Sequence, residues 1–184
     1  QDALAAVSLV YPLQMLVVAI GVGTGVGVNS LIARRLGEKR QKHADSAAEH
    51  GVALAVVGGI AFFILGWGFS GVFVGAFGAS EAVSTFAVQY SHLAVGMSIF
   101  VMISMMCEKI QQSGGNMIIP MCQGLTGAII NIILDPLMIF GFGPIPAMGI
   151  KGAAWATGIG QVVSLVIYLA VYFKDLDNIP VRIS

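Results

Sequence analysis

Five long runs of this sequence carry almost no charge, and that limits the fold more than any motif does. They cover about residues 4–33, 47–74, 82–107, 117–140 and 150–173. A membrane helix needs about 20 apolar residues, and each run reaches or exceeds that length, so tilted or protruding helices are expected. Of the 184 residues, 57% are hydrophobic and 10% charged, where a soluble domain has about 25% charged. The expected fold is an all-α integral membrane protein. It is a bundle of about five transmembrane helices forming a single membrane domain over residues 1–184, with the lipid bilayer as its first partner. The chain opens on Gln1 with no leader pattern before its first apolar run, so it reads as part of a longer protein.

Composition also narrows the function. The formal net charge is zero, which leaves no basic field to attract nucleic acid. No nucleophile–base pair or metal-ligand cluster appears, so no enzyme activity, metal or organic cofactor is expected. Cys107 and Cys122 lack metal spacing and are expected to be free thiols.

The loops set the orientation. Arg34, Arg35, Lys39, Arg40 and Lys42 follow the first run, Lys109 follows the third, and Lys174 and Arg182 follow the fifth. The opposite side has Lys151 alone, so the basic side is expected to be cytoplasmic. Gly37 is expected at the helix C′ position, with the arginines favourable near the negative helix end. The basic loop is chiefly an orientation signal and can also meet lipid headgroups.

Within the fourth run stands a single acid, Asp135. A carboxylate at membrane depth costs about 2.5–3.5 kcal/mol on insertion scales, so such residues mark ion or substrate pathways. Asn131 lies four residues earlier, on the same helical face. Pro136 follows, and proline cannot donate to the carbonyl four residues back, that of Ile132. An acid, an amide and a free carbonyl on one face suit a small cation or a proton. Asp135 lies five residues before Phe140, roughly 8 Å from that end of the helix.

Gly21, Gly23, Gly25 and Gly27 alternate late in the first run. No strand precedes them and no lysine follows at a phosphate-loop offset. Gly21 with Gly25, and Gly23 with Gly27, form GxxxG pairs expected to pack helices closely. Gly124 with Gly127, and Gly152 through Ala154 with Ala156, read the same way. Gln89 and His92 in the third run are expected to be packed and hydrogen-bonded rather than exposed to a pathway. Met97, Phe100, Met102, Met105 and Met106 could form an adaptable apolar surface, although packing is the commoner role.

Three segments together resemble a known family. They are Gly21-Val-Gly-Thr-Gly-Val-Gly-Val-Asn-Ser-Leu-Ile-Ala-Arg-Arg-Leu-Gly37, Asn131-Ile-Ile-Leu-Asp-Pro-Leu-Met-Ile-Phe140 and Met148-Gly-Ile-Lys-Gly-Ala-Ala-Trp-Ala-Thr157. In order and spacing they are similar to the amino-terminal lobe of multidrug and toxic compound extrusion (MATE) transporters. The resemblance implies a partial six-helix lobe, supplying the second to sixth helices, in a multi-pass protein of the cell (plasma) membrane. It implies efflux of small amphiphilic, typically cationic, substrates by alternating access, coupled to protons or sodium. Asn131 and Asp135 match the family's coupling pair on its fifth helix, and Thr157 a polar partner on the sixth. The family's first-helix acid has no counterpart in the chain, and the missing helices would be further partners. Two alternatives stay open: a flippase of lipid-linked saccharides in the same superfamily, and a non-transporting membrane scaffold. Basic residues confined to span ends favour drug efflux over the flippase, and Asp135 argues against the scaffold.

Overall fold

A computed structural model describes residues 2–78, 80–141, 146–174 and 181–182. Residues 79 and 142–145 of the sparsely charged loops, and most of the basic tail, lie outside it. The described residues form six helices: α1 (Asp2–Gly37), α2 (Gln41–Gly75), α3 (Glu81–Gly96), α4 (Ser98–Ser113), α5 (Ile118–Phe140) and α6 (Ile150–Lys174). Four of these are long and apolar enough to cross a membrane alone: α1, α2, α5 and α6. The third run, expected as one span over 82–107, is instead a broken one. α3 and α4 meet at Met97 with a bend of 41°. The break falls in Gly96-Met97-Ser98, a glycine–serine pairing of the kind that releases helical backbone. Ser98 leaves the local pattern to donate its hydroxyl to the Gly59 carbonyl of α2 at 3.1 Å.

The helix α2 shows why the bundle is tight. Its buried face reads Ala44, Ala48, Gly51, Ala55, Gly59, Gly66, Ser70 and Val74, steps of three, four and seven that keep one stripe facing inward. Small side chains on that stripe let neighbouring helices close on its backbone. A methyl group at Gly51 would lie 2.7 Å from Val28 of α1, and one at Gly59 would lie 2.6 Å from the Ile99 Cα of α4. One at Gly66 would collide with Val95 of α3. Apolar side chains gather in clusters between the helices. Ile32, Met102, Met106 and Ile110 form one around the α1–α2–α4 junction. Val10, Val74, Ala87 and Tyr90 form another among α1, α2 and α3.

The helix ends extend beyond the apolar runs. α1 reaches Gly37 and α4 reaches Ser113, because charged and amide side chains near an aqueous interface continue a helix readily. The expected C′ role of Gly37 does not hold. Gly37 is helical, and the left-handed residue of the turn is Lys39, at φ 57°. Asn116 starts α5 by accepting the Ile118 and Ile119 N–H groups at 3.1 and 3.4 Å.

Helices α1 to α4 pack against one another, while α5 packs chiefly on α6 and barely touches α4. α6 bridges the two groups by also contacting α3 and α4. The gap left between α4 and α5 holds the candidate site.

Candidate functional site

Asn131 and Asp135 come together on α5 as their spacing requires. With its NH2 turned toward the acid, Asn131 donates to both Asp135 carboxylate oxygens at 3.0 Å. A charge-assisted pair of this kind is worth more than a neutral one and fixes the carboxylate on one side. Asp135 is half-buried, and Ile132 and Ile133 on the adjoining surface are 71% and 54% exposed. Among the described residues the acid therefore sits at the edge of the lobe rather than deep within it.

Beside this pair lies a cavity of about 310 Å³ between α4, α5 and α6. Asn131 and Thr157 line it, with Ser104, Glu108, Gln123, Gln161 and Ser164. The structure thus brings Thr157 and Asn131 to one cavity, but the Thr157 hydroxyl donates to the Ala153 carbonyl of its own helix at 3.0 Å. Gln123 is 4% exposed, and its amide donates to Ser104 at 3.2 Å. Its Oε1 has no protein partner. An unsatisfied buried acceptor costs about 1–3 kcal/mol, and a polar cavity this large can hold water to relieve that cost. Glu108 is held from one side: Lys109 Nζ lies 3.3 Å from its Oε1, and the Gln112 amide donates to the same oxygen at 2.7 Å. Of the polar residues lining this cavity, the sequence and its family resemblance point only to Asn131 and Thr157 as site residues. Single glutamines and serines in apolar helices were the available signal.

A second, more apolar cavity of about 170 Å³ opens on the other side of Thr157, bounded by Gln14, Tyr90, Met97, Val101, Met105 and Gln161. Two of the five Met and Phe side chains expected to form an adaptable surface, Met97 and Met105, line it. Met102 and Met106 are buried in the core. His92 is packed and hydrogen-bonded: its Nε2 lies 2.7 Å from Ser70 Oγ, and its ring stacks on Trp67 at 4.5 Å.

The four alternating glycines divide into two pairs. A methyl at Gly21 would sit 3.0 Å from Met105 Sδ, and one at Gly25 would sit 2.8 Å from Lys109 Cγ. These two carry the α1–α4 contact, reinforced where Asn29 donates its amide to the Lys109 carbonyl at 2.7 Å. A methyl at Gly23 or Gly27 would meet nothing from the other helices within 4 Å among the described residues. They lie on the opposite side of α1, and among the described residues no other helix packs on that face. Of the other small-residue pairs, Gly127 packs on Ser164 of α6 and Gly152 on Met138 of α5, while Gly124 is open. Cys107 is buried, Cys122 is exposed, and both are free.

A broken span, small-residue seams and an amide-held carboxylate beside a polar cavity define a class of protein. They are features found in the membrane lobes of transporters. The profile of the family described as MatE matches residues 1–137. The chain belongs to the MatE family, and with it to the multi-pass proteins of the plasma membrane. It is 31% identical over 165 residues to an FAD transporter of Shewanella oneidensis, covering 89% of this chain and 36% of that protein. It is 26% identical to the multidrug export protein MepA of Staphylococcus aureus, covering 98% and 39%. An outward-facing multidrug resistance MATE transporter superimposes on all of the chain at TM-score 0.93 and 28% identity, and an inward-facing one at 0.92 and 28%. Each match covers 40% of the solved chain. The chain thus spans under half the length of the relatives it matches.

Proposed function

We propose that this chain is most of the amino-terminal lobe of a secondary active transporter that exports drugs or other xenobiotics. In it, residues 1–184 act as one membrane domain. Export is driven by a proton or sodium gradient through alternating access. The carrying observation is the Asn131 amide on both oxygens of Asp135, at the edge of a polar cavity that also takes in Thr157. A carboxylate held this way has two states with different partners. Ionised, it accepts both N–H groups. Protonated, it donates from one oxygen and holds Asn131 less strongly. A sodium ion would instead draw oxygen ligands, and Asn131 can turn its amide oxygen toward it. Such differential interaction is what lets an ion bias one conformation over another.

The near-equal fit of the lobe to inward- and outward-facing relatives supports rigid-body rocking, in which these helices keep their packing while the lobe turns. Small amphiphilic cations are the expected cargo. A second reading, export of a flavin nucleotide, rests on the identity to the FAD transporter. Both are tested in vesicles with the full-length transporter under an imposed proton or sodium gradient, with a cationic dye or FAD as cargo. Asp135→Asn keeps shape and removes the ionisable charge. Gradient-driven export should fall at least tenfold at matched expression. Export at the wild-type rate would make Asp135 structural and remove the coupling role.

A further inference from the structure

At the basic end of the bundle, α1 and α2 do not close completely. A groove of about 300 Å³ remains between them, lined by Val28, Leu31, Arg35, His43, Ser46, Ala47, His50, Gly51 and Leu54. Its walls are divided by depth. Arg35 and His43 stand at the rim, near the turn joining the helices, with Ser46 and His50 next. Val28, Leu31 and Leu54 lie one turn or more further into the apolar span, and Leu31 and Leu54 are 44% and 56% exposed. From Arg35 to Leu31, or from His50 to Leu54, is four residues, about 6 Å along a helix. That separates a phosphate from the first carbons of an acyl chain.

We infer that this groove is a binding site for an anionic phospholipid, its phosphate held at Arg35 and His43 and an acyl chain laid along Leu31 and Leu54. Charge complementarity commits the site to an anionic lipid over a zwitterionic one. Residues 34–50 carry five Lys and Arg side chains and two histidines against three acids, Glu38, Asp45 and Glu49. The acids leave room for this. Glu38 takes Arg35 through a single nitrogen, NH1, at 3.0 Å, and a guanidinium has five N–H donors. Asp45 is occupied with the Gln41 amide and the Arg182 N–H, both at 2.9 Å. The first turn of α2 contains no acid, and Arg40 provides no side-chain cap, so the positive end of that helix also favours a phosphate. Basic pockets between membrane helices hold lipid headgroups by these same forces.

The test uses the full-length transporter, delipidated in detergent, with native mass spectrometry as the readout. Dioleoyl phosphatidylglycerol and dioleoyl phosphatidylcholine are added in turn. The wild type should retain the anionic lipid at least tenfold more tightly. Paired Arg35→Gln and His43→Gln changes should remove that preference, while Lys151→Gln at the opposite end leaves it intact. Leu54→Gln on the apolar wall, which disturbs no charge, should weaken retention severalfold. It decides the matter if the paired variant does not fold. Glycerol 3-phosphate at millimolar concentration should not compete. Equal retention of both lipids, retention unaffected by Leu54→Gln, or competition by glycerol 3-phosphate would each overturn the assignment. No retention at all would show the groove to be covered by the rest of the transporter, and would overturn it too.

Discussion

Gly58 and Gly59 are neighbours on α2, and replacing each by alanine isolates the cost of close packing. Both substitutions gain the same helix propensity, about 0.8–1.0 kcal/mol, so that contribution cancels between them. Their surroundings differ. A methyl at Gly58 meets Met102 Cε at 3.8 Å, an ordinary contact with the flexible end of a side chain. One at Gly59 lies 2.6 Å from the Ile99 Cα and 3.2 Å from its Cβ. That backbone cannot step aside without pulling α4 from α2 or loosening the Ser98 hydroxyl from the Gly59 carbonyl. Overpacking of this kind costs about 1–3 kcal/mol. Gly59→Ala should therefore be less stable than Gly58→Ala by about 1–3 kcal/mol. Unfolding in mixed detergent micelles, followed by tryptophan fluorescence in the full-length protein, measures the difference. Equal midpoints, or a larger loss at Gly58, would show that α2 and α4 are not held backbone to backbone at this point.

Asn131→Ala should slow gradient-driven export less than Asp135→Asn. It deletes hydrogen bonds to a charged group, about 1.5–3 kcal/mol, but leaves the titrating carboxyl; equal losses in vesicle export would refute the division of roles. Glu38 gives a pH dependence: its hydrogen bond from Arg35 holds its carboxyl below the usual 4.5, with Arg34 and Arg40 adding to the effect. A lowered folded value means stability present above 4.5 and lost as pH falls through the folded value. The wild type should thus melt slightly above Glu38→Gln at neutral pH, the gap closing in acid and in high salt; a gap that widens in acid would refute the pairing. For orientation, cysteines at Lys39 and Ser80, in a Cys122→Ser background, meet an impermeant thiol reagent on intact cells. Position 80 should label and position 39 should not; the reverse would invert the topology.

The apolar runs were legible because nothing competes with them: α5 and α6 begin and end within a residue of the runs that announced them. The broken third span was not, since apolar composition is the same on both sides of a bend. Only Gly96-Met97-Ser98 marked it, and what fixes the bend is a long-range bond from Ser98 to Gly59. The glycines show a sharper limit. Spacing by four identifies a face but not which face has a neighbour. Gly21 and Gly23 differ by two residues, about 200° around the helix at 100° per residue. All four glycines of that stretch therefore could not meet one partner, and the structure gives α4 to Gly21 and Gly25. The more consequential seam, through Gly51, Gly59 and Gly66, mixes alanine and serine with glycine and skips a full seven residues, so no short motif announces it.

The site divides along the same line. Asp135 and Asn131 were readable because both lie on one helix, where spacing alone sets geometry. Thr157 entered through the family resemblance, since its place opposite Asn131 depends on how α6 lies against α5. Gln123, Ser104 and Glu108 come from two helices that barely touch, and their common cavity exists because α5 leans on α6 instead of α4. A cavity made by the absence of packing leaves no periodic trace in any one segment. Residues that act within an element can be found from sequence, while those that converge across a gap between elements need coordinates. In this lobe the Asn131–Asp135 pair is of the first kind, and the polar lining of the cavity beside it is of the second.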